Sequence, residues 1–169
     1  MQFNAAAYGP DVQRILTCGA PSLTGLVAVA TPSAELSGAL SASLFAGSAH
    51  PQGALAGLWL YFDCFEEGHK VAQEDESSEG SLWHGIAHRR EPDYSNAGYW
   101  FRRAGSHAVF PQIVKRVGTG LGPAWDAMKF LEYCEDAAKA GGEREAWALK
   151  VQRVEWEILF DYCARKRSV

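Results

Sequence analysis

Ala54-Leu55-Ala56-Gly57-Leu58-Trp59-Leu60-Tyr61-Phe62-Asp63-Cys64-Phe65 is apolar almost all round, interrupted only by Gly57 and Asp63. A helix apolar on every side has no solvent face, so this stretch predicts a central helix around which the others pack. The pattern extends it over 53–73, with Leu55, Leu58, Phe62, Phe65 and His69 along one stripe. Asp63, Glu66, Glu67 and Lys70 follow at spacings that suit ion pairs within the same helix. Residues 74–80 then read as a solvated acidic loop: from Asp63 to Glu79 there are seven acids against Lys70 alone.

Beyond this helix the signals remain helical in both directions. Ser81 is placed to cap a helix over 82–90, which Pro92 ends by disfavouring helical geometry at Glu91. Asp93 caps the next helix, 94–103, and Gly105 stops it. Residues 106–122 form a connection with a helical turn at 113–117. Pro123 suits the first position of a helix over 123–140, with Trp125, Met128, Leu131 and either Tyr133 or Cys134 inward. Gly141-Gly142 turns the chain into a last helix, 143–165, whose stripe is Trp147, Val151, Val154, Ile158 and Tyr162. On the N-terminal side Ser33 caps an amphipathic helix carrying Leu36, Leu40 and Leu44 and ending near Gly47. A short helix at 11–18 lies in an irregular arm, 1–32, which is expected to pack late or fray. No internal repeat, heptad run or strand-like alternation occurs. The expected class is all-α: one domain over 1–169, an irregular helical bundle with a C-terminal helical hairpin.

Composition narrows the function classes. With 47% apolar and 21% charged residues the chain has a globular make-up, not a disordered one. A net charge of −4 argues against a nucleic-acid partner, which a basic domain would suit. No apolar run reaches membrane-spanning length, so no membrane role is expected. The N-terminus offers only Arg14 as a basic residue, a poor fit to a signal peptide, and Cys18, Cys64, Cys134 and Cys163 form no Cys-x-x-Cys pair. That usage predicts buried thiols in a reducing cytoplasm, ahead of a two-disulfide framework.

The chemistry is concentrated in Trp83-His84-Gly85-Ile86-Ala87-His88-Arg89-Arg90-Glu91-Pro92-Asp93-Tyr94-Ser95-Asn96-Ala97-Gly98-Tyr99-Trp100-Phe101-Arg102-Arg103, running on to His107. His84, His88 and Glu91 lie on one side of a helix, a spacing that brings two imidazoles and a carboxylate to one metal. The Glu that follows the first His in zinc proteases is missing, with Gly85 in its place. The expectation is therefore no cofactor and no favoured metal; were an ion held, His84, His88 and Glu91 would be its ligands. Arg89, Arg90, Arg102 and Arg103 supply forks for phosphate or carboxylate oxygens. The competing reading neutralises two of the four within the fold, against Glu91, Asp93 or the acids of 63–79. Tyr99, Trp100 and Phe101 point three ways on a helix, and Trp100 can stack with Arg103. Glu66 and His69 make one Glu-x-x-His element. Di-iron bundles need two, so His69 reads as a core histidine that meets the motif from the neighbouring helix.

The same residues carry a resemblance. Trp83, His84, Ile86, His88, Arg89, Glu91, Pro92 and Asp93, then Asn96, Tyr99-Trp100-Phe101-Arg102 and His107 before Val109-Phe110, resemble a family of bacterial proteins. Its members share the form Trp-His-x-Ile-x-His-Arg-x-Glu-Pro-Asp, then Asn, Tyr-Trp-Phe-Arg and a His before Val-Phe. A segment like 67–73 precedes the motif in that family, and Ala108 stands where it has Pro. The resemblance covers about a third of the chain. It points to the position of a site and brings no activity with it.

Three functional expectations follow. The leading one is a bacterial cytoplasmic protein with a polar cleft over 83–107 for a small anionic ligand. In it His84, His88 and His107 serve as acid–base groups. His69, Arg89, Arg90, Glu91, Asp93, Asn96, Tyr99, Trp100, Arg102 and Arg103 bind the ligand. Whether the protein is an enzyme is left open. The second is a structural or interaction module whose motif is an internal polar network. The third is a metal-binding protein using His84, His88 and Glu91.

Overall fold

The computed structural model describes residues 3–166 and is all-α, with no strand among them. Helices α1 (Pro10–Leu16) and α2 (Ala34–Ala39) precede the apolar stretch. That stretch is not one helix. It divides into α3 (Pro51–Tyr61) and α4 (Phe65–Gln73), with a reversal at Phe62-Asp63-Cys64. Asp63 sits in the left-handed region at φ 60°, a conformation costly for any residue with a Cβ. Its carboxylate offsets the cost by accepting from Thr24, both backbone N–H (3.0 Å) and hydroxyl (2.6 Å), and by pairing with Arg90. Asp63 therefore leaves the helical charge row predicted for it.

Helix α5 (Ser78–Arg90) begins earlier than the sequence suggests, because Ser77 and not Ser81 is its cap, accepting from the Gly80 N–H at 3.0 Å. Part of the expected acidic loop is thus helix, and Glu79 is buried. Every residue from Glu79 to Arg90 is buried, so α5 runs through the interior as α3 does, although six of its buried side chains are polar. Two helical glycines let it do so. A Cβ on Gly57 would come within 2.6 Å of the Trp83 ring, and one on Gly85 within 2.6 Å of Phe101.

Helix α6 (Tyr94–Ala104) is capped by Asp93, which accepts from the Asn96 N–H at 3.1 Å, and stopped at Gly105, as predicted. It packs along α5, while α4 packs on another side of it. Helix α7 (Phe110–Val117) is longer than the expected turn. Helix α8 (Ala127–Ala140) starts at the Asp126 cap and not at Pro123, since the Asp126 carboxylate takes the Met128 and Lys129 N–H groups. Of its two candidate inward residues, Cys134 is buried and Tyr133 half-buried.

Helix α9 (Gly142–Ala164) forms the predicted hairpin with α8. It also packs on α3 and α7, so it buries more than one stripe. Trp156, Leu159 and Phe160 are as deep in the core as Val151, whereas Trp147 and Tyr162 are half-buried.

The N-terminal arm is docked, not frayed. Tyr8, Val12, Ile15, Leu23 and Leu26 are buried in the common core. Its irregular part supplies N–H donors to carbonyls left over where helices end: Leu23 to Tyr61 O (2.8 Å), Ala28 to Arg90 O (2.9 Å) and Ala30 to Asp63 O (2.9 Å). Ser33 caps α2 as expected, but α2 stops at Ala39 and a 3-10 turn, Ala42–Phe45, takes the place of its second half. Cys64, Cys134 and Cys163 are buried free thiols as expected, but Cys18, on the N-terminal arm, is exposed. No described helix is long and apolar enough to cross a membrane.

Candidate metal centre

Three imidazoles meet where α4 lies against α5. His84 and His88, one turn apart on α5, are 4% and 6% exposed, so nothing but protein surrounds most of each ring. His69 comes from α4 and is half-buried. Its Nε2 lies 3.0 Å from the Nε2 of His84, and its ring centroid is 4.8 Å from that of His88. One ring nitrogen from each of the three falls within 4.8 Å of the others.

The walls of the cluster are mostly aromatic. Trp100, from α6, stacks on His84 with centroids 3.8 Å apart, and Phe65 packs against His69 and His88. Neither His69 nor His84 forms an ion pair with a carboxylate among the described residues. Burial, then the neighbouring charges of His69, His88 and Arg103, hold His84 down to about 3. Burial and then His88 also lower His69, against the opposing pull of Glu91 and Glu66. Both rings are uncharged near neutral pH, which is the form that ligates a metal.

His88 is set differently. Its Nδ1–H donates to the Glu91 carboxylate at 2.9 Å, leaving Nε2 as a lone pair, which accepts from the Asn96 amide at 3.0 Å. A carboxylate behind the ring is the usual way in which a protein fixes the tautomer of a metal-bound histidine. The Nδ1 of His84 is buried with no hydrogen-bond partner among the described residues. Such an orphan costs on the order of 1–3 kcal/mol in a protein interior.

The four arginines divide into two pairs. Arg89 is buried and forked onto Glu155 of α9, with its guanidinium 4.6 Å from the Phe130 ring. Arg90 is fully buried, donating to Leu60 O, Gly25 O and Asp63. These two are internal ties, and neither is free to hold a ligand. Arg102 and Arg103 are exposed, and neither makes an ion pair among the described residues. The Arg103 guanidinium lies 5.1 Å over the Trp100 ring, the stack that their spacing predicts. Tyr99 is exposed beside Trp100, Asp93 is engaged as a cap, and Asn96 holds His88.

His107 does not join the other motif histidines. Its Nε2–H donates to Glu79 at 3.0 Å, and its Nδ1 accepts from the Val109 N–H. His50 approaches the other oxygen of Glu79 at 3.5 Å, and Tyr162 packs on both imidazoles. Sequence reasoning missed His50 and Glu79 in this role, and no local pattern marks them. They come together only because α3, α5 and α9 converge. The clefts of about 360, 460 and 610 Å3 on the surface are lined by none of His69, His84 and His88, nor by the four arginines of the motif.

Compared with protein-family models, with curated proteins and with solved structures, the chain finds no match.

Proposed function

We propose that the protein binds a divalent transition-metal ion of the zinc type between His69, His84 and His88. The observation that carries this reading is the meeting of three imidazoles from two helices, two of them nitrogen to nitrogen at 3.0 Å with no acid between. Two nitrogens on one tetrahedral zinc, with bonds near 2.0–2.1 Å, stand about 3.3 Å apart, so the pair needs little movement to share an ion. Glu91 then lies behind His88 instead of on the metal, and His69 takes the place that the spacing alone gave to Glu91. Holding the ion through the Nε2 of His88 displaces the Asn96 amide.

The test is a thermal melt with and without zinc on the wild type and on His69→Ala, each compared with its own metal-free melt. Zinc should raise the wild-type Tm by several degrees and leave the variant unchanged. Equal response of the two proteins, or no response of either, overturns the reading.

One observation favours a second reading. Both nitrogens of His88 already have partners, and Arg89 and Arg90 are consumed internally. On that basis the motif is an internal polar network in a structural or partner-binding protein, and zinc has no effect on the melt.

A further inference from the structure

Resting on the metal reading above, we infer that the centre takes a small oxyanion, a carboxylate or a phosphate, at its remaining coordination position, with Arg103 as the second contact. Three histidines leave a four-coordinate ion one position short. Neutral imidazoles bring no charge to offset a divalent cation. The nearest carboxylate, Glu91, is engaged with the Nδ1 of His88, on the side of that ring away from its lone pair.

Arg103 adds to the positive side. Its guanidinium sits over Trp100, which also stacks face to face on His84 and meets Tyr99 edge-on. The guanidinium is thus linked to His84 through one aromatic ring, pairs with no acid among the described residues, and belongs to an exposed side chain. A fork of this kind matches two oxygens of a carboxylate or phosphate. Arg102, its exposed neighbour, lacks the stack on Trp100 and serves as the comparison.

The experiment uses the full chain loaded with cobalt(II), whose visible bands report changes in coordination. Acetate and inorganic phosphate are titrated in separately, and the metal content is measured again after each titration. The expected result is a saturable change in the bands with at least one of the two anions at constant metal content; which anion responds separates carboxylate from phosphate. Arg103→Ala should weaken that response about tenfold, equivalent to about 1.4 kcal/mol, Arg103→Lys should restore part of it, and Arg102→Ala should leave it unchanged. Bands that respond to neither anion while cobalt stays bound overturn this inference and leave the metal site standing. An undiminished response in Arg103→Ala overturns the role of Arg103. Failure to bind cobalt at all removes the metal reading and this inference with it.

Discussion

His69 and His84 face each other nitrogen to nitrogen at 3.0 Å, from different helices. Without a metal, the contact holds only if one ring donates its Nε2–H to the lone pair of the other. Removing His69 leaves the Nε2 of His84 without that partner in a ring only 4% exposed. We predict that metal-free His69→Ala is less stable than metal-free wild type by on the order of 1–3 kcal/mol, read from urea unfolding. Unchanged stability would mean that the two rings do not depend on each other.

Arg90 and Asp63 form a buried ion pair, and Asp63 also holds the reversal between α3 and α4 and the arm at Thr24. Truncating one partner of a buried pair leaves the other charge uncompensated, typically at about 3–5 kcal/mol. Asp63→Ala should therefore cost that much in denaturant unfolding, and Asp63→Asn, which keeps an acceptor for Thr24, should cost less. An Asp63→Ala protein as stable as wild type would refute the assignment of this pair as the hub joining arm, α3 and α5.

Gly57 and Gly85 are predicted to resist even alanine. Each new methyl meets a ring within 2.6 Å, and the rings belong to buried Trp83 and Phe101. Overpacking of this sort costs about 1–3 kcal/mol. Alanine normally favours helices over glycine, so a gain in Tm from either substitution would contradict the packing described.

Glu79 sets an acid limit. Burial pushes its carboxyl up, but the hydrogen bond from His107, a backbone hydrogen bond and the charges of His50 and His107 hold it below its ordinary 4.5. A carboxylate depressed in the folded state stabilises the fold above its unfolded pKa and loses that contribution as pH falls through the folded one. The stability difference between wild type and Glu79→Gln should therefore be full near neutral pH and narrow below about 4.5. A difference that stays constant down to pH 3 would show that Glu79 carries no such linkage.

The helical class was legible because period, caps and breakers agree over most of the chain; Asp93, Gly105 and Gly141 act as their residue types imply. The break at Asp63 was not legible. Nothing local marks it, and the left-handed turn is held by Thr24 and Arg90, both distant in sequence. The same holds for α5, whose polar composition concealed a helix buried from Glu79 to its end, because its arginines are matched by Asp63 and Glu155 from elsewhere. In the candidate site, the helical spacing placed His84 and His88 together. The approach of His69 was an inference from the apolar stripe of its helix. The separation of His107 and the division of the arginines into buried and exposed pairs depend on tertiary packing that no spacing encodes.

The most direct test of the central claim is elemental analysis of the purified full chain after reconstitution with zinc and exhaustive dialysis. The account predicts about one equivalent of bound zinc in the wild type and none in His84→Ala, with His69→Ala likewise empty. Less than about a tenth of an equivalent in the wild type, or an undiminished content in both variants, would contradict it.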